Sequence, residues 1–371
     1  MVNKFLLGVV MNNIKKRNSN LELLRIVSMF CILLHHFAYH GSSSWASHYN
    51  YLYLSSEKVY LFLACLGKAA VVSFVMIGAF FLAQKKFKLW RIINLCLTTL
   101  IYSWLIYIFI LWKFPQAVKT VTPMNLWLPI PIPSNYWFVV AYVYMLMLMP
   151  FMNLILEKTT RKQILLIIGL FTILWTVLPF IPNTKADNSG YNFYFYYNYF
   201  LLIYLISGYI RIYQPNWANS LIKSSVFFVA VVAIIIVIIL NVSSKNYASL
   251  AGTFATLNNI FSLALGISIF VLFKNINVGH NVVINYIAKS MFGVYLIHDN
   301  SFVRPLLWQK LVHTNRYATD YVGYIKYGLV ITLFVFFSCI IIDVIKRIII
   351  DPPVNKTLMK LNTKFLAWSS R

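Results

Sequence analysis

The 371-residue sequence is 60% hydrophobic and 11% charged, with a mean hydropathy of +0.74, whereas a soluble domain carries roughly a quarter charged residues. Its net charge of +24 comes from 32 Lys and Arg against 8 Asp and Glu. The cations sit in short clusters between apolar runs, which argues against a nucleic-acid partner and fits loops that face anionic lipid. The composition predicts an all-α polytopic membrane protein, one transmembrane bundle of about ten helices, each needing about 20 apolar residues to span the bilayer core.

In chain order, residues 1–20 read as a cytoplasmic N-terminal segment. Phe5 to Met11 is a short apolar run with one preceding Lys and no small-residue cleavage site, which is weak for a signal peptide. Met11-Asn12-Asn13-Ile14-Lys15-Lys16-Arg17 reads as the start of translation and a basic lead into the first span. The transmembrane region, 21–350, holds ten apolar segments at about 21–40, 60–83, 92–112, 137–156, 164–181, 194–212, 225–241, 254–273, 285–308 and 327–350. The ninth is interrupted by Lys289, His298, Asp299, Arg304 and Pro305. Residues 351–371 form a basic tail, and no internal repeat is visible.

With the N-terminus inside, 22 Lys and Arg fall on inner segments and 9 on outer ones, with Lys68 left inside the second span. The positive-inside rule then places both termini in the cytoplasm, in an inner or cytoplasmic membrane. The outer loop 113–136 carries Pro115, Pro123, Pro129, Pro131 and Pro133 and should be stiff and extended. A second long outer loop covers 309–326. The aromatic run Tyr191, Phe193, Tyr194, Phe195, Tyr196, Tyr197 and Tyr199 reads as an interfacial belt or as a stacking surface for sugar rings. Cys31, Cys65, Cys96 and Cys339 all lie in apolar runs, without metal-ligand spacing, so neither a disulfide framework nor a metal site is expected.

The chemistry concentrates in the first span, from Leu21 to His36. Arg25 and His36 are eleven residues apart, three helical turns plus about 20°, so they share a face about 16 Å apart along the axis. Such groups are costly in a membrane helix unless they face a polar interior. Glu22 is placed to pair with Arg25 at i, i+3. On a functional reading Arg25 holds phosphate or carboxylate groups and His36 accepts a proton. On a structural one Arg25 snorkels to the interface while His35 or His36 bonds a neighbouring helix. Near the end of the ninth segment, Tyr295 and His298 share a face, and either Asp299 joins them or the span ends at His298 and leaves Asp299 in water. No P-loop, dinucleotide fingerprint, GxSxG or HExxH motif is present.

Arg25 followed by ten residues and then His36, with the adjoining Glu22-Leu23-Leu24-Arg25-Ile26, resembles the first helix of the acyltransferase 3 family of integral-membrane acyltransferases. Asn135-Tyr136-Trp137-Phe138 and Ser290-Met291-Phe292-Gly293-Val294-Tyr295-Leu296-Ile297-His298 are similar to other family segments. The resemblance implies a catalytic His36 with Arg25 as its essential partner, and an acyl group passed to a hydroxyl of an extracytoplasmic or lipid-linked glycan. It implies acetyl-CoA as donor, with no bound cofactor. The family's paired-arginine motif between the second and third spans departs here to Lys85, Lys86, Lys88 and Arg91, in which Lys88 and Arg91 attract donor phosphates without a second guanidinium. Glu22, His35, Trp137, Tyr295 and His298 join them as candidate substrate-binding residues. The partners implied are acyl-CoA, a glycan or lipid-linked glycan acceptor, membrane lipid and other polysaccharide-assembly proteins. The resulting reading is O-acetylation of a surface, capsular or exported polysaccharide or its precursor. The rivals are a flippase or transporter, which would show repeats or broken helices at the midplane, and a glycan polymerase, suggested by the Pro-rich outer loop.

Overall fold

The structure, a computed structural model, describes residues 18–42, 54–118, 133–180, 191–241, 253–254, 256–317 and 320–354, and all regular structure among them is helical. Met11, the Pro-rich stretch 119–132 and the tail beyond 354 lie outside the described residues, as do the side chains of 191–196 in the aromatic run. The elements are α1 (Ser19–Ser42), α2 (Leu54–Leu82), α3 (Leu89–Lys113), α4 (Pro133–Lys158), α5 (Arg161–Thr172), α6 (Tyr191–Tyr213) and α7 (Leu221–Leu240). They are followed by α8 (Ile260–Asn275), α9 (Val282–Ile287), α10 (Met291–His298) and α11 (Tyr321–Ile349).

All ten apolar segments fall largely on helical backbone, but among the described residues six helices are long and apolar enough to cross a membrane: Ser19–Gly41, Lys58–Leu82, Leu89–Lys113, Tyr136–Lys158, Leu221–Leu240 and Tyr321–Ile349. Ile260–Asn275 and Val282–His298 are shorter apolar helices. The eighth segment starts late because Asn259, whose side chain accepts from the Ser262 N–H, caps α8 there. The fifth widens and then tightens, with a π turn at Ile173–Val177 after α5 followed by a 3₁₀ turn at Leu178–Phe180. The ninth is broken, as its polar residues suggested: a 3₁₀ turn joins α9 to α10, and a second break follows His298.

The outward faces show why this is a membrane protein. Ile222, Val226, Val229, Ile234 and Val237 of α7, and Val330, Phe334, Phe337 and Ile341 of α11, are exposed aliphatic or aromatic side chains in long continuous stripes. Soluble proteins do not expose apolar surface on that scale, whereas lipid accepts it at no cost.

The centre is built on α1 against α2. Lipid offers no hydrophobic drive between apolar helices, so close approach between small residues has to supply the packing. Gly67 supplies it on α2, and Ser28 and Ser73 hydrogen-bond across the seam at 3.1 Å. At Gly67 the backbone lies so close to His35 that a Cβ would overlap its side chain. The start of α1 is pinned. Ser19 Oγ donates to Asn285 Oδ1 (3.1 Å) and accepts from the Asn281 N–H (2.9 Å). Asn20 donates to the Ile276 carbonyl and accepts from the Val278 N–H (3.0 Å). These four bonds fix the height of α1 against the α8–α9 connection, and so against α10.

Gly67→Ala should therefore force α1 and α2 apart and cost about 1–3 kcal/mol, the usual penalty for overpacking. Gly169→Ala, at a helix position with open space around it, should be neutral or stabilising, since Ala favours a helix by up to about 1 kcal/mol. Thermal unfolding of both variants in lipid nanodiscs checks the contrast.

Candidate active site

Two of the irregular features of the fold meet at one place. Residues 299–302 leave the helical path after α10, with Asn300 Oδ1 accepting from the Phe302 N–H at 2.9 Å. Tyr136, non-helical at φ −144° and ψ 65°, kinks the start of α4. Its hydroxyl donates to the Leu296 carbonyl (2.9 Å) and accepts from Asn300 Nδ2 (2.7 Å). The kink thus holds the broken end of α10 against α4, and both face the C-terminal half of α1.

Between these elements lies a cavity of about 190 Å³. His35, His36, Tyr39 and His40 of α1, Lys68 of α2, and Asp299 and Arg304 beyond α10 supply its polar wall. Trp137, Phe138, Phe292 and Tyr295 supply flat aromatic faces, with Phe138 and Tyr295 centroids 5.4 Å apart. Phe292 also borders a second cavity of about 240 Å³, whose wall includes Lys289, Asp343, Lys346 and Arg347.

His36 Nδ1 lies 3.0 Å from His298 Nε2, and His298 Nδ1 lies 2.6 Å from the Val294 carbonyl oxygen. A carbonyl only accepts, so His298 Nδ1 carries the hydrogen. In the neutral ring His298 Nε2 then accepts, His36 Nδ1 donates, and the lone pair of His36 is left on Nε2. His298 is fully buried, while the His36 side chain retains 12% exposure at the cavity wall. Asp299 Oδ1 lies 3.8 Å from His36 Nδ1 and 3.3 Å from Arg304 Nη1. Asp299 is buried although the helix does end at His298, because the break folds it inward rather than releasing it to water. Its Oδ2 has no hydrogen-bond partner among the described residues.

The candidates chosen from sequence divide into groups. His35, His36, Trp137 and Tyr295 line the cavity, and His298 backs His36. Arg25 does not line it. Its guanidinium pairs with Glu22 at 2.8 Å and lies 6.0 Å from the ring centroid of Phe74, which is itself a cavity wall. Lys88 and Arg91 stand apart at the start of α3. Lys88 is exposed, and Arg91 donates to the Lys86 carbonyl at 3.0 Å. The sequence reading passed over Lys68, His40 and the role of Arg304. His40 was within reach, since it follows His36 by four residues and shares its helix face. One ligand atom each from His36, His40 and Asp299 lie within 4.8 Å of one another, a spacing a metal ion could bridge. Arg304 and Lys68 on the same wall oppose a cation there.

Arg304→Met should strand the buried Asp299 carboxylate and cost about 1–3 kcal/mol. Adding Asp299→Asn should recover part of the loss. Thermal unfolding of the two singles and the double variant measures the coupling, and additive losses would deny it.

A family model described as an acyltransferase domain matches residues 18–345, nearly the whole chain and all of the site above. No curated protein and no solved structure matches.

Proposed function

The chain belongs to the acyltransferase 3 family, and from that we propose that this multi-pass membrane protein is an O-acyltransferase that moves acetyl from acetyl-CoA to a hydroxyl of a surface, capsular or exported glycan or its lipid-linked precursor. The observation that carries the reading is His36 on the cavity wall, with its Nδ1 engaged by His298 and its Nε2 lone pair unclaimed in that tautomer.

His36 Nε2 takes the proton of the acceptor hydroxyl as that oxygen attacks the thioester carbonyl carbon. The carbon–sulfur bond then breaks, and the departing thiolate of CoA takes the proton back from His36. While the imidazole is charged, the Asp299 carboxylate 3.8 Å from Nδ1 offsets the charge, and His298 keeps the ring oriented. Direct transfer is the simpler course, since no serine or cysteine adjoins His36 in the sequence.

The donor enters from the cytoplasmic, lysine- and arginine-rich side. Arg25 meets its phosphates there, with Lys88 and Arg91 adding attraction from the start of α3. The acceptor reaches the cavity from the outer side or the membrane, and its sugar ring stacks on Trp137 and Tyr295. Both termini lie in the cytoplasm in this arrangement. A flippase or polymerase is less well supported, because His35, His40, Lys68, Asp299 and Arg304 gather at one cavity beside a paired histidine rather than along large outer loops.

The test is the O-acetyl content of the host's surface polysaccharide by NMR in wild type, a deletion strain and His36→Ala. Acetyl signals should vanish in both mutants with polymer yield unchanged. In a membrane assay with labelled acetyl-CoA, His36→Ala should lose roughly 10²–10⁴-fold in rate, the span of general-base catalysis, and His298→Phe should lose a large part of that. Persistent acetylation with collapsed polymer export or length would replace this reading with transport or polymerisation.

A further inference from the structure

The fixed charges on the cavity wall do not balance. Asp299 is the one carboxylate among the described residues that line it, and it lies 3.3 Å from Arg304 and 3.8 Å from His36. Lys68 lines the same cavity from the middle of a membrane span, with its ammonium 5.9 Å from the Tyr39 ring centroid. No carboxylate oxygen lies within ion-pair distance of Lys68 among the described residues. Among the acids whose side chains the structure describes, the others are engaged elsewhere, and Glu157 is exposed at another cavity. Glu22, Asp343 and Asp351 pair with Arg25, Arg347 and Lys346, and Asp320 caps α11. Two cations against one carboxylate leave a surplus positive charge facing a chamber of about 190 Å³.

An ammonium at membrane depth is costly unless something compensates it. We propose that the compensating group arrives with the substrate: the chamber takes a substrate bearing a free carboxylate, and Lys68 holds it. This deepens the acyltransferase reading and rests on it. The carboxylate belongs either to the acyl group, as in a dicarboxylic acyl thioester, or to an acidic sugar of the acceptor, and both present the same singly charged, planar group. A phosphate dianion would overfill the single surplus charge. A transient oxyanion would leave the ammonium uncompensated for most of the cycle, whereas a bound carboxylate neutralises it throughout binding.

The experiment uses the full chain in nanodiscs and reads CoA release with a thiol reagent. Acetyl-CoA and succinyl-CoA serve as donors, each with methyl glucoside and methyl glucuronoside as acceptors. The wild type should favour one acidic partner over its neutral counterpart, and the identity of that partner separates donor from acceptor. Lys68→Met should raise KM for the acidic partner roughly 10- to 100-fold, the size of a charge-assisted hydrogen bond, with kcat within about twofold; Lys68→Arg should restore most of it. In parallel, succinate or glucuronate should raise the thermal midpoint of wild type and of Lys68→Arg but not of Lys68→Met, a readout that needs no turnover. The proposal is overturned if neutral and acidic partners perform equally, if Lys68→Met lowers kcat at constant KM, or if neither carboxylate stabilises the wild type. CoA release from no pair, with stabilisation still dependent on Lys68, would sink the acyltransferase reading and leave the carboxylate site standing.

Discussion

The contact on which the site depends is the 3.0 Å hydrogen bond between His36 and His298, side chains 262 residues apart in the sequence. It forms only if α1 and α10 hold the same height and the same rotation, and if water is kept from competing for the nitrogens. The four bonds from Ser19 and Asn20 set the height. The close seam of α1 with α2 at Gly67 sets the rotation. The Val294 carbonyl, which engages the far side of the His298 ring, turns two adjacent imidazoles into a directed pair. A neighbouring ring with both nitrogens free would not specify which atom of His36 keeps its lone pair.

The break after His298 is the second condition. Backbone that leaves the helix at membrane depth must find partners inside the protein, since lipid offers none. Here Asn300 and Tyr136 provide them, with the carbonyl of Leu296 and the N–H of Phe302 accounted for in the same network. Because the chain turns inward at that point, Asp299 and Arg304 come to the wall of the cavity rather than to its exterior. The irregularity of the ninth apolar segment is therefore what delivers charge to the site.

Part of this was legible in the sequence. The helical period alone puts Arg25 and His36 on one face, and α1 is indeed a continuous helix across both. The Glu22–Arg25 pair follows from their spacing in the same way. What local spacing does not give is where a face points. His36 reaches the cavity, but Arg25, three turns away, pairs with Glu22 behind the Phe74 wall. Asp299 was ambiguous because its burial is decided by the Tyr136–Asn300 bond between distant segments. Lys68 looked like a leftover in the charge count, and its meaning depends on which acids are already paired. The expected ten crossings rested on apolar length, and that measure is weakest where a segment is shortened by a cap, as at Asn259, or broken, as after His298.

The pinned start of α1 makes the stretch from Ser19 to His36 a length standard. One residue inserted or deleted within it would turn His36 by about 100° and slide it by about 1.5 Å, enough to carry the imidazole off the cavity wall. Substitution and indel tolerance should thus part company in this helix. Many side chains facing lipid can be exchanged, but the number of residues between the Asn20 anchor and the imidazole cannot change. In a comparison of homologous chains, that interval would stay gapless even where identity is low, which makes it a sharper signature than the residues that fill it.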